Sequence, residues 1–236
     1  MVVGLKGGID LLIVRIRSVD ALITSREFAL LDLEELARCK ALRLDADRRR
    51  FIVARSLVRQ VLDEAAGRGN WRIFKDETGR LFAELSNSSY IDLNLSHAGQ
   101  YVAIAVSREG RVGVDLEPLS SFDNVGDAVK LYMTPIEQAF MLAAVPAQRQ
   151  ELAARTWVMK EAILKAEGCG LLKDPRSIHL GTDFDEAVWY RNGEFSIQWR
   201  FVDHAKSRIL LGVAWRGPNG KSIGPEIKQQ FLSYDS

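Results

Sequence analysis

Cysteine is nearly absent. The 236 residues hold only Cys39 and Cys169, far apart and in no CxxC pairing, so the chain has no disulfide framework. Each reads as a small buried apolar side chain suited to a reducing compartment. No uncharged apolar run approaches the roughly 18 residues needed to span a bilayer. The N-terminal stretch M-V-V-G-L-K-G-G-I-D-L-L-I-V-R-I-R is broken by Asp10, Arg15 and Arg17 and is followed by no small-residue cleavage site. No export signal is expected there, and the sequence predicts a cytoplasmic protein. An excess of either charge is missing too: Lys+Arg 32 against Asp+Glu 31, net +1, gives no global field to gather nucleic acid or a membrane surface.

What is present is an ordinary globular composition, 47% hydrophobic and 27% charged, long enough for one large domain or two small ones. Ile9–Arg17 reads as a buried strand. A helix is expected from a Ser25 cap through Phe28, Leu31, Glu35 and Arg38, and a second over about Asp45–Ala66. Strands follow at Trp71–Phe74, Leu81-Phe82, Tyr90–Leu95, Tyr101–Val106 and Val112–Leu116. Helical patterns cover Val125–Met133, Thr134–Ala144 and Ala147–Glu167. In the second of these Thr134 is the cap, with Pro135 at the first position and Glu137 at the third. Ser196–Phe201 and Arg208–Trp215 alternate as strands, and the last twenty residues read as an irregular tail. Strand, helices and strands recur in that order in both halves of the chain.

Three stretches carry chemistry. In Gly113-Val114-Asp115-Leu116-Glu117, the two acids share one face of a strand, because residues two apart point the same way. Their stems stand about 6–7 Å apart, and two such charges at about 4 Å would repel by roughly 4 kcal/mol at an effective dielectric near 20. A divalent ion would remove that repulsion; two solvated acids at a strand end is the bland alternative. In the helix over 45–66, Arg48, Arg49, Arg50, Arg55 and Arg59 stand beside the apolar stripe of Phe51, Ala54, Leu57, Val58, Val61 and Leu62. Guanidinium suits forked phosphate contact, but a solvated basic face reads the same way. In the helix over 147–167, Trp157, Glu161 and Lys165 recur every fourth residue. A Glu–Lys pair at that spacing is commonly a weak surface contact, whereas a Trp on the same stripe argues for partial burial.

With Ser96-His97, G-V-D-L-E at 113–117 and W-V-M-K-E-A-I-L-K at 157–165 together, the chain resembles the 4′-phosphopantetheinyl transferases, specifically the larger pseudo-dimeric type. The family pattern is G-[IV]-D-[IVL]-E, about forty residues, then W-x-x-K-E-[AS]-x-x-K, and the match covers about residues 38–170. The resemblance implies an α+β fold of two similar halves, 1–110 on the coenzyme A side and 111–236 on the magnesium and carrier side, with the site in the cleft between them. It implies transfer of 4′-phosphopantetheine from coenzyme A to a serine of an apo acyl or peptidyl carrier protein, by a monomer. By that resemblance Asp115, Glu117 and Glu161 hold magnesium, and Glu161 is also a candidate general base. Lys165 contacts the pyrophosphate, and Ser96 and His97 contact coenzyme A phosphates. Arg38, Arg50 and Arg80 align with basic residues around the 3′-phosphate and adenine. Gly79-Arg80-Leu81 departs from the Gly-Lys-Pro of many members. Phosphoryl transfer needs positioning and charge neutralisation more than covalent help, which suits this set. A metal-dependent phosphate-ester hydrolase and a non-catalytic binding module are the rival readings. A carrier is expected to dock near Phe122, Val125 and Leu131.

Overall fold

The computed structural model describes residues 8–16, 28–124, 126–182, 185–204, 207–218 and 224–234. Arg17, the Ser25 cap and Val125 lie outside these residues. The first strand, β1, runs Ile9–Ile16. The start of the helix expected from Ser25 lies outside the described residues; Phe28 and Ala29 are helical, a break follows at Leu31 and Asp32, and a helix, α1, runs Leu33–Ala41. There Asp32 caps the Glu35 N–H and the Glu35 carboxylate returns to the Asp32 N–H, a reciprocal box that satisfies two otherwise orphaned donors. Helix α2 (Asp45–Ala66) matches its expected span. Strands β2 (Trp71–Lys75), β3 (Leu81–Leu85), β4 (Tyr90–Ala98) and β5 (Tyr101–Ser107) follow. Next is β6 (Arg111–Pro118), which carries the paired acids.

Residues 126–131 form a 3-10 turn instead of the expected α-helix. Helix α3 (Pro135–Ala143) begins at the expected Thr134 capping box, and α4 (Pro146–Glu167) is the long helix carrying Trp157, Glu161 and Lys165. Strands β7 (Tyr190–Asn192), β8 (Phe195–His204) and β9 (Ser207–Arg216) complete the alternating region. The tail is not irregular throughout. Ile227–Tyr234 is a strand, β10, paired in parallel with β1. Its sequence, I-K-Q-Q-F-L-S-Y, has weak alternation, and its partner lies at the other end of the chain, so no local pattern reveals it.

The fold is mixed α+β with two sheets, of order β10-β1-β5-β4-β3-β2 and β6-β9-β8-β7. Strand β5 is buried along its whole length, so its alternation sorts residues between two cores rather than between core and water. Val102, Ile104 and Val106 join Val58, Val61 and Leu62 of α2 on one face. Tyr101, Ala103 and Ala105 meet Val112, Val114, Leu116, Leu211 and Val213 of the second sheet on the other. Helix α4 covers the outer face of the second sheet through Ala154, Val158 and Ala162, against Ile197, Leu210 and Ala214. The layers therefore run α2, first sheet, second sheet, α4.

Two glycines set how closely α4 lies. A Cβ at Gly113 would stand 1.9 Å from the Ala162 carbonyl oxygen, and one at Gly212, on β9, 2.3 Å from that of Val158. Only glycine allows a backbone that near. Gly212 pairs with Asp115 across the ladder, so the helix is closest where the acids are.

Candidate active site

On β6 the side chains alternate as the sequence predicts. Val112, Val114 and Leu116 fill the core between the sheets, while Gly113 lies against α4 and Asp115 meets Lys165 of that helix. Lys165 Nζ donates to Asp115 Oδ1 at 2.7 Å and to Ser96 Oγ at 2.9 Å; Ser96 Oγ donates to Asp115 Oδ1 at 2.8 Å. Burial, then the Asp115 charge, push the Glu117 carboxyl up to about 7, against the pull of Lys165. Burial and Asp115 raise Glu161 as well, again against Lys165. Three acids and one ammonium thus share a single electrostatic environment contributed by β4, β6 and α4.

No three His, Cys, Asp or Glu side chains among the described residues already form a metal cluster. The donor chemistry nevertheless fits a hard divalent cation. Asp115 Oδ2 and Glu161 Oε1 are buried with no hydrogen-bond partner, and unpaired carboxylate oxygens next to a third acid are what an oxygen-coordinated ion relieves.

His97 adjoins this group. Burial, then Arg50 and Lys165, hold its imidazole below the usual range, which leaves it neutral near pH 7. Arg50 Nη1 donates to the Gly99 carbonyl at 2.7 Å, and its other arm pairs with Asp47. The structure therefore brings Arg50, Ser96, His97, Asp115, Glu117, Glu161 and Lys165 to one end of the interface between the sheets. Arg38 is exposed on α1, on the side of Arg55. Arg80 points inward, 7% exposed.

The remaining α2 arginines are largely engaged within the protein. Arg55 and Arg59 flank the buried Glu35 at 3.4 and 2.7 Å, and Arg48 bonds the Leu42 carbonyl and Asp45. For these three the basic face is structural. Lys160, beside Glu161 in sequence, faces away from the site. It is 0% exposed and donates to Glu137 and the Tyr132 carbonyl, both at 2.7 Å. Glu137 Oε1 accepts from the Leu180 N–H, so this pair ties α3, α4 and the following loop together. A buried pair of this kind needs further hydrogen bonds, and Glu137 also accepts from the Thr134 and Leu180 N–H groups.

Sequence reasoning missed the side chains that seat β6 against β4. β6 is an edge strand of its sheet, and its amides would be unpaired without them. The N–H groups of Val112, Val114 and Leu116 donate to Asp92 Oδ2 at 2.7 Å, Asn94 Oδ1 at 2.9 Å and Ser96 Oγ at 3.4 Å. The alternation D-L-N-L-S in β4 was visible in the sequence, but polar residues on a solvated face would look the same.

The chain is similar to known proteins over much of its length. Residues 111–214 match the family model described as the 4′-phosphopantetheinyl transferase superfamily. The 4′-phosphopantetheinyl transferase HetI of Nostoc sp. is 30% identical over 148 residues, covering 61% of this chain and 62% of that protein. The 4′-phosphopantetheinyl transferase psf-1 of Bacillus pumilus is 29% identical over 139 residues, 58% of each. The 4′-phosphopantetheinyl transferase AcpT of Escherichia coli K12 is 39% identical over 75 residues, covering 32% of this chain and 38% of that protein. The chain thus spans between 38% and 62% of the length of these relatives. The matched segment contains β6 with its acids and the whole of α4, and over that segment the chain is similar to the 4′-phosphopantetheinyl transferase superfamily.

Proposed function

We propose that this protein transfers the 4′-phosphopantetheine group of coenzyme A to a serine hydroxyl of an apo acyl or peptidyl carrier protein, releasing 3′,5′-ADP. The observation that carries this reading is the meeting of Asp115, Glu117, Glu161 and Lys165, on β6 and α4, inside the segment that matches the superfamily.

The carrier serine oxygen attacks the β-phosphorus of coenzyme A, and the bond from that phosphorus to the 3′,5′-ADP oxygen breaks. Glu161, its proton affinity raised by burial and by Asp115, takes the serine proton. Lys165 and the Ser96 hydroxyl stand together to receive pyrophosphate oxygens, and neutral His97 adds a hydrogen bond. Arg50, beside His97, is the basic group placed for the 3′-phosphate. Asp115, Glu117 and Glu161 would hold the magnesium ion, which when bound neutralises the charge that grows on the 5′-phosphate of the leaving 3′,5′-ADP.

The larger reading belongs to the same proposal. Each half, 1–110 and 111–236, contributes a sheet with a long helix on its outer face, a pseudo-dimer with the site at the join. The second half also lends β10 to the first sheet. No helix among the described residues is long and apolar enough to cross a membrane, and a cytoplasmic monomer is the state we propose. Intact-mass measurement of purified apo acyl and apo peptidyl carriers, incubated with the protein, coenzyme A and magnesium, tests this. The expected result is addition of one phosphopantetheine to the carrier. Release of phosphate or ADP with every carrier unmodified would instead indicate a hydrolase.

A further inference from the structure

Arg80 sits where the resemblance places a nucleotide contact, yet its guanidinium is directed into the protein. Its Nη2 donates to Asp92 Oδ2 at 2.5 Å and to the Val112 carbonyl at 3.1 Å, and its Nη1 donates to the Lys165 carbonyl. These three acceptors belong to β4, β6 and the last turn of α4. A buried guanidinium is tolerated only when its donors are met, and the planar fork meets acceptors on three elements in a way an ammonium cannot.

The turn that presents Arg80 is itself fixed. Asp76 Oδ1 accepts from the Thr78 N–H at 2.9 Å, the Thr78 hydroxyl at 2.6 Å and the Arg80 N–H at 3.0 Å. This turn packs on the end of α4. A Cβ at Gly168, the left-handed residue capping the helix, would stand 2.5 Å from Thr78 Oγ1 and 2.7 Å from Arg80 Cδ. Asp92, the partner of Arg80, is also the acceptor for the Val112 N–H. One acid and one arginine therefore tie the strand bearing Asp115 and the helix bearing Glu161 and Lys165 to a common point.

We infer that Arg80 is a positioning residue: it fixes the last turn of α4 against β4 and β6 and so sets where Lys165 and Glu161 stand, without touching coenzyme A. The meaning of that placement rests on the transfer reading above. A phosphate-binding arginine and this one predict different kinetics. Lysine at position 80 keeps the charge that a phosphate needs but cannot reach all three acceptors. Asparagine at position 92 keeps an acceptor for the Val112 N–H but removes the charge that Arg80 pairs with.

The test compares Arg80→Lys, Asp92→Asn and the double variant with the parent, by carrier conversion and by hydrogen exchange of the peptide spanning Ile163–Gly168. Displacement of catalytic groups by about 1 Å can cost on the order of 100-fold. Each single variant should lower kcat by about 10- to 100-fold, with KM for coenzyme A and the preference over dephospho-coenzyme A held within about twofold. The double variant should be no worse than the poorer single one, since both break the same tie. Exchange should rise in the last turn of α4 and not in α2. A raised KM with kcat kept, or a lost preference for the 3′-phosphate, would overturn the inference in favour of a nucleotide contact. Exchange rising everywhere, with kcat falling only as folded protein falls, would overturn it in favour of a merely structural residue. If the parent modifies no carrier, the transfer reading fails by itself. Local exchange at Ile163–Gly168 then still decides the tie: a rise supports it, and no change removes it.

Discussion

Asp115 has one oxygen occupied and one free. Lys165 and Ser96 share Oδ1, while Oδ2 is buried without a partner. Replacing it by alanine leaves Lys165 with Glu161 and Glu117 as counter-charges and relieves their mutual repulsion. The Asp115→Ala variant should therefore melt close to the parent without metal. It should lose the rise in Tm that magnesium gives the parent, and nearly all carrier conversion with it. A variant keeping both would remove Asp115 from the metal site. Gly113→Ala makes the opposite demand. Its methyl group would overlap the Ala162 carbonyl, so α4 must move; overpacking of this sort costs about 1–3 kcal/mol. Thermal melting should fall and conversion should fall further than unfolding explains. At this scale the acids were legible, because a two-residue period is enough to put Asp115 and Glu117 on one face. The close approach at Gly113 and Gly212 was not, since it depends on a helix far along the chain. Nor was the inward turn of Arg80, whose three acceptors become neighbours only on folding.

Among the elements, α2 shows how a basic helix divides its charges. Arg48, Arg55 and Arg59 are engaged by acids and carbonyls of the preceding segment, whereas Arg50 reaches the β4–β5 turn beside His97. Arg50→Ala should narrow the preference for coenzyme A over dephospho-coenzyme A. A lost charge-assisted contact is worth about 1.5–3 kcal/mol, or roughly 10- to 150-fold in the ratio of kcat/KM values. An unchanged ratio would remove Arg50 from the 3′-phosphate site. Near α3 the exposed apolar side chains include Leu131 at 74%, Ile136 at 73% and Leu142 at 59%, while Phe122, an expected docking residue, is buried in the α4 core. Leu131→Asp should raise KM for the carrier and leave that for coenzyme A alone; equal carrier KM values would exclude this face. Helix spans with clear caps, Thr134 and the run to Gly168, were readable in advance. The capping box at Asp32 was legible in D-L-E-E, yet a single helix was expected through Leu31, Glu35 and Arg38, so the break before Leu33 was not foreseen.

Over the whole molecule, most of the strands and helices followed from periodicity and the α+β class from the family resemblance, and the closing strand followed from neither. β10 pairs with β1 from the far end of the chain and places Ile227 and Phe231 against the core between the sheets. Such a pairing is settled by the available edge and the shared core, neither of which a local window contains.

The row of β4 side chains on β6 amides has a consequence for motion. Because donors and acceptors repeat every second residue, sliding one sheet along the other finds no new match until a shift of about 6.6 Å. Smaller displacements break all three bonds at once. Motion at this seam would have to give up all three bonds together, and on the proposed transfer reading coenzyme A and carrier meet sheets already held in one register. Small-angle scattering should give the same radius of gyration with and without coenzyme A and magnesium, and a contraction on adding them would show that the seam opens. On that reading the two sheets are expected to move as one block, leaving rearrangement to loops and side chains at the rim of the site.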